Sequence, residues 1–467
     1  MNKKLMAVAV AGVLGAPALA FAQAANVSLY GNFDGSVRST RYSSSSVLAV
    51  GVPTAASLTK QQLHFNAPRW GLRGTESLGG GLSAFFQMES GMNPDGRNVS
   101  SDGVTGTLGG RDSYIGLRGN WGSLAVGGFG AAYMSVAGVW NAVLSLGHAQ
   151  QIMGNKDTTG TAPNPNCNSG VPGATGAAAA ANAVGLGAFC TQAIEGSATS
   201  FSRRTANYVE YTTPTMSGFV GKIGTALNEN KEPSSQTALV QAAVAGATSY
   251  DPKHWSSSLV WAGGPFSAAI GYETHQGFRA TNTTAGGIRN AKDKGWTVGG
   301  KWDFGAGQIG MGWERLKYAN VAANPTAGLA AGLATGSNGF DLTNWVINGN
   351  YKVTPAGTIS AGYSKTPGAK NCGTALAATN PLTGADVGTC GTPTGATMFG
   401  LSYDHSLSKR TSLYGAYSRI NNNGNTAAGA TYYYIAGPLS NGAAGTTGGL
   451  TGGTDVTSYM AGVKHSF

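Results

Sequence analysis

The stretch VTSYMAGVKHSF, residues 456–467, decides the fold. Tyr459, Ala461, Val463, His465 and Phe467 project to one side, and Ser458, Met460, Gly462, Lys464 and Ser466 to the other. Side chains alternate along a strand, so one face here is mostly apolar and the opposite face is small and polar. Such a strand stands between two different solvents.

The same period recurs upstream. In Val27–Arg38, Leu29, Gly31, Phe33, Gly35 and Val37 share one face, and Tyr30, Asn32, Asp34, Ser36 and Arg38 the other. Similar runs are Gln62–Gly74, Leu82–Gly91, Arg111–Gly119, Gly122–Gly130, Phe201–Thr212, Ser217–Leu227, Trp255–Gly263 and Phe266–Gln276. They continue with Ala291–Phe304, Gly307–Tyr318, Phe340–Val353, Gly357–Lys365, Thr397–Ser406, Thr411–Ile420 and Val456–Phe467. The total of about sixteen lies within the even-numbered range of membrane β-barrels.

Short and long connections alternate. Thr75–Gly81, Asn120–Trp121, Pro214–Met216, Gly264–Pro265, Gly305–Ala306, Thr354–Ala356 and Leu407–Arg410 are turns. Ser39–Gln61, Asn228–His254, Thr366–Ala396 and Asn421–Asp455 are loops. Turns on the periplasmic rim and loops on the outer rim give this rhythm, which puts both termini in the periplasm. The longest connection, Ala131–Ser200, is too long for an idle loop and is expected to fold inward. Aromatic residues near strand ends (Trp70, Trp121, Trp255, Trp302, Trp313, Tyr318, Trp345, Tyr351, Tyr403 and Phe467) suit interfacial girdles.

Composition agrees. Charged residues make up only 11% of the chain, against about 25% in ordinary soluble domains. Glycine supplies 74 of 467 residues, and a 41% hydrophobic content coexists with a mean hydropathy of −0.08. A thin wall, apolar outside and polar inside, reconciles these values.

The N-terminus has the pattern of an export signal: Lys3 and Lys4, an apolar run from Leu5 to Leu19, then Ala20-Phe21-Ala22. Residues 1–22 are therefore read as a signal peptide and 23–467 as a single barrel domain. Without Lys3 and Lys4, 28 basic residues face 20 acidic ones, a net charge of about +8. No Lys/Arg-rich run accompanies it, which argues against nucleic-acid binding and for an anion-attracting lumen or surface. Cys167, Cys190, Cys372 and Cys390 are an even set in an exported chain. Three disulfide connectivities are open, and the local pairs Cys167–Cys190 and Cys372–Cys390 each lie within one loop. Their spacing matches no zinc site, and no cofactor is implied.

Several motifs carry a family resemblance: SLYG at 28–31, RWGLRGTE at 69–76, RDSYIGL at 111–117, LSKRTSLY at 407–414 and GVKHSF at 462–467. Together they resemble the general porins of β-proteobacteria, over the whole of the mature chain. The resemblance implies an all-β transmembrane antiparallel barrel of about sixteen strands, whose third external loop, 131–200, narrows the pore. It implies a homotrimer among outer-membrane lipid and lipopolysaccharide, passing small anions and hydrophilic solutes. It also implies assembly by the barrel-assembly machinery, with Phe467 as the C-terminal insertion signal.

The family's constriction arginines carry over to Arg69, Arg111 and Arg204. Trp70 and Leu72 face lipid, so alternation turns Arg69 and Arg73 inward. Val209 and Tyr211 face lipid, which by the same count turns Arg204 inward. Arg111 shares the parity of Ile115 and Leu117, so strict alternation aims it outward and a bulge would re-aim it. Arg38 is a further inward candidate, and Glu89 and Glu210 are lumen acids that tune the field. An arginine facing lipid at mid-membrane costs about 2–4 kcal/mol, which favours the inward reading.

Rival readings are a substrate-specific channel, a surface adhesin and an outer-membrane enzyme. An enzyme needs a nucleophile or acid–base group, yet His64, His148, His254, His275, His405 and His465 are scattered and lie in no catalytic motif. Gly305–Gly310 has the form of a dinucleotide fingerprint but opens a strand rather than a helix, so it reads as a turn.

Overall fold

A computed structural model describes residues 26–49, 52–66, 68–92, 94, 108–142, 201, 204–227, 253–276, 292–318, 340–367, 370, 396–422 and 455–467. The expected signal peptide and all four cysteines lie outside the described residues. Of loop 131–200, residues 131–142 and 201 beside it are described.

The strands are β1 (Asn26–Ala49), β2 (Val52–Phe65), β3 (Arg69–Gly79), β4 (Leu82–Gly91), β5 (Ser113–Gly119), β6 (Gly122–Gly130), β7 (Arg204–Thr212), β8 (Phe219–Ala226) and β9 (Lys253–Gly263). They continue as β10 (Phe266–Gln276), β11 (Lys292–Asp303), β12 (Gly307–Tyr318), β13 (Phe340–Lys352), β14 (Gly357–Thr366), β15 (Ala396–Ser406), β16 (Thr411–Asn422) and β17 (Val456–Ser466). One helix, α1 (Ala132–Trp140), lies among the described residues.

From β3 onward each strand pairs antiparallel with the next, and β17 returns to β1 in a register running from Asn32↔Ser466 to Tyr42↔Val456. On its other side β1 pairs first with β3, from Asn26 to Asn32, and then with β2, from Gly35 to Ala49. β2 and β3 thus share one position, and the seventeen segments close a sixteen-strand barrel.

Two sequence expectations change here. The single strand Gln62–Gly74 is interrupted between β2 and β3, where Pro68 has no N–H to give a ladder. The expected loop Ser39–Gln61 is largely paired backbone, because β1 runs to Ala49 and β2 starts at Val52. That run is rich in Ser and Thr and lacks apolar alternation, but backbone pairing does not require it.

The two faces of the wall differ as the alternation requires. Leu29, Val37, Ile115, Ile270 and Val463 are exposed on the outside. Asp34, Ser36, Thr40, Ser256, Glu314, Ser360 and Ser458 are buried on the inside. This inverts a soluble protein, with apolar side chains meeting lipid and polar ones lining the interior. Near the short turns the outer aromatics touch: Phe266 stacks on Trp302 at 6.3 Å, Phe304 on Tyr351 at 6.4 Å and Trp121 on Tyr211 at 6.2 Å. Tight turns rest on glycine in the left-handed region, as at Gly264 (φ 56°) and Gly305 (φ 84°). The latter places the Gly305–Gly310 segment at the β11–β12 hairpin.

α1 packs inside the barrel against β9, β10, β11 and β12. Val136 and Trp140 form a buried cluster with Ala269 and Val346. Glycines on the inner face make room for it. A side chain at Gly299 or Gly312 would strike the Trp140 ring, and one at Gly310 its carbonyl. The helix ends are held by the wall as well. The Ala132 N–H donates to Tyr208 Oη (3.2 Å), that of Tyr133 to Ser256 Oγ (2.8 Å) and that of Ala142 to Asn348 Oδ1 (2.7 Å). Two of these satisfy first-turn N–H groups that the helix itself leaves open.

Candidate functional site

The site grows from β3, β4 and the turn before β5. Arg69 and Glu89 lie on the inner face of adjacent strands, with Arg69 Nε 3.6 Å from Glu89 Oε2. Arg111 precedes β5, so strand parity does not aim it. Its backbone N–H donates to the Glu89 carbonyl at 3.0 Å, and its Nε donates to Glu89 Oε1 at 2.5 Å. Tyr30 donates its hydroxyl to Glu89 Oε2 at 3.0 Å. Glu89 therefore joins Arg69, Arg111 and Tyr30 on the inner wall.

Arg73 lies next to this group, its guanidinium 5.1 Å from the Tyr30 ring centroid and its Nε donating to Ser28 Oγ at 3.3 Å. Arg118 stands over Phe85 at 4.4 Å. Arg204 opens β7 and donates to Asp112 Oδ1 at 2.8 Å. The parity count from Val209 is broken between them: the β6–β7 register shifts beside Asn207, whose φ is 51°. Arg204 reaches Asp112 despite this break. Arg38 is fully buried on the inner face of β1, at a different part of the wall. Glu210 is buried on β7, where Lys222 Nζ lies 3.0 Å away and Tyr208 donates its hydroxyl at 3.3 Å. Phe467 pairs with Gly31 by reciprocal backbone hydrogen bonds of 3.1 Å, and its ring stands 6.2 Å from Phe33.

Among the described side chains, β3 to β7 and the turn before β5 bring Arg69, Arg73, Arg111, Arg118 and Arg204 together with the carboxylates Glu89, Asp112 and Glu210. Arginine keeps its charge at any physiological pH.

The family model for Gram-negative porins matches residues 7–425. The chain belongs to the Gram-negative porin family. It is an outer-membrane porin, and family and fold are those of a channel. The porin is 28% identical over 367 residues to an outer membrane porin protein of Bordetella pertussis, covering 76% of this chain and 77% of that one. It is 24% identical to outer membrane porin protein 32 of Delftia acidovorans over the full length of both. In fold it matches the anion-selective porin from Comamonas acidovorans, with a TM-score of 0.56 at 20% identity, covering 95% of this chain and 100% of that one.

One group on the porin's wall escaped the sequence reading. His254 on β9 and Glu273 and His275 on β10 converge on the inner face, all buried. In the linear sequence these histidines are scattered. The turn at Gly264–Pro265 carried the missing signal: stepping back along both strands from Gly263↔Phe266 brings His254 opposite His275.

Proposed function

We propose that the porin is a passive channel for small hydrophilic solutes and ions, selective for anions through Arg69, Arg111 and Arg204, with Arg73 and Arg118 adding to the field. The observation that carries this reading is the excess of five arginines over the carboxylates Glu89, Asp112 and Glu210 along β3–β7. Fixed positive charge on one wall of a narrow aqueous passage concentrates anions and repels cations. The name of the Comamonas protein supports the same sign of selectivity. Glu89 and Glu210 moderate the field, and Arg38 adds charge elsewhere on the wall. No bond is made or broken, so the protein is a channel and not an enzyme.

Loop 131–200 narrows the passage, a reading supported by α1 on the inner wall. The functional form is a homotrimer in lipid and lipopolysaccharide with both termini periplasmic, supported by family membership and by the alternation of short turns and long loops. Phe467 serves the barrel-assembly machinery as the insertion signal.

The test is reconstitution in a planar bilayer under a salt gradient. Stepwise openings with an anion-selective reversal potential, reduced in Arg69→Ala and Arg204→Ala, are expected. Cation selectivity in open wild-type channels would end the arginine reading.

A further inference from the structure

We propose that His254, Glu273 and His275 form a binding site for one divalent transition-metal ion, of which zinc is the best fit, in the barrel wall beside α1.

The site is built by strand register. His254 and His275 are direct cross-strand partners of β9 and β10, and Glu273 precedes His275 by two residues on the same face. All three are buried to within 1%. Glu273 Oε1 lies 2.8 Å from His275 Nε2 and 3.5 Å from His254 Nε2. One ligand atom from each residue falls within 4.8 Å of the others. Tetrahedral zinc with bonds of about 2.0–2.1 Å holds its ligand atoms roughly 3.3 Å apart. The separations of 2.8 and 3.5 Å lie either side of that spacing, so a small opening of the shorter contact admits an ion.

The donor set selects the class of ion. Two imidazoles and one carboxylate suit zinc and its first-row neighbours, whereas calcium and magnesium prefer shells of oxygen. The surroundings fix the rings. Phe201 stacks on His275 with centroids 4.5 Å apart, Tyr208 meets the edge of His254 at 5.8 Å, and the two imidazoles are nearly parallel at 21°. Buried Asp293 is the partner of His275 on the next strand, β11, and places a further carboxylate beside the group.

The ion would act on the wall and on its charge. With neutral imidazoles and an ionised Glu273 the group carries one negative charge. A bound divalent ion adds two positive charges to this part of the wall, the same sign as the arginines. It would also tie β9 to β10 two residues from Ser256, which holds the start of α1.

Because the group is closed, the ion is best offered while the barrel forms. Untagged full-length porin is refolded in detergent with Zn²⁺ or Co²⁺, stripped of loose metal on a chelating resin, and analysed by elemental mass spectrometry. About one retained ion per chain is expected. Co²⁺ should give the intense visible bands of a four-coordinate site. His254→Gln and His275→Gln should each lower affinity by more than the roughly 10–100-fold that outer-shell changes cost. His465→Gln, at the exposed end of β17, should retain the ion. Wild-type porin retaining almost no metal, or equal retention in His254→Gln and His275→Gln, would overturn the proposal. If those variants do not fold, the wild-type Co²⁺ spectrum decides alone: its absence sinks the site.

Discussion

The carbonyl of Trp140 rests directly against Gly310, where the wall has no side chain to keep it away. Helix and wall therefore fit at backbone distance. A valine at 310 must push the end of α1 toward the barrel axis, since overpacking a close-fitted contact costs about 1–3 kcal/mol. Gly310→Val is expected to leave a folded, heat-modifiable barrel with lower single-channel conductance than wild type. Conductance equal to wild type would mean that α1 does not border the ion path.

Glu89 stands between Arg69 and Arg111, so neutralising it takes a negative charge from beside two positive ones at once. Glu89→Gln is expected to shift the reversal potential further toward anions. It should also lower unfolding stability by roughly 1–3 kcal/mol, because buried Arg111 loses a charged acceptor. Urea unfolding monitored by gel mobility, beside the reversal potential, measures both. A shift toward cations would show that the Glu89 carboxylate does not oppose these arginines in the pore.

Val298 lies on the outer face of β11 and Lys301 on the inner face, three residues on. Parity gives one position to lipid and the other to the interior. Val298→Arg should therefore destabilise the barrel by about 2–4 kcal/mol if it sits near mid-bilayer. Equilibrium unfolding in lipid vesicles would read this directly, and an unchanged midpoint would place Val298 outside the hydrocarbon zone.

At the seam, the Phe467 ring covers Gly31 and stands beside Phe33. Phe467→Ala removes an aromatic contact of about 0.5–1.5 kcal/mol and uncovers the first strand. Heat-modifiable migration should be lost at a lower temperature than in wild type. The yield of assembled barrel from cells should fall as well. Unchanged yield would separate Phe467 from assembly and leave it only a packing role.

Much of this molecule was legible because a membrane wall imposes one rule on every strand. Outward Leu29 and Val37 and inward Asp34 and Ser36 follow from parity alone. Parity failed where the backbone departs from a plain strand. It aimed Arg111 outward with Ile115 and Leu117, but Arg111 lies before β5 and is set on the inner wall by its contacts with Glu89. It reached Arg204 only by counting across the irregularity at Asn207. Pro68 splits a strand at the place where the apolar parity also shifts, from Leu63 and Phe65 to Trp70 and Leu72. The His254–Glu273–His275 group needed register as well as parity, because its members lie on two strands.

The meeting of β1 and β17 also bears on how the chain folds. Asn32 and Ser466 face each other across 434 residues of sequence. Every other strand finds a partner in its neighbour along the chain, so the seam is the pairing with by far the largest loop to close. Pairing of that kind is slow. Until it forms, β1 and β17 each offer an unpaired edge able to template a foreign strand. An unfinished barrel is thus an aggregation-prone ribbon, and the step that makes the pore also removes its last two edges.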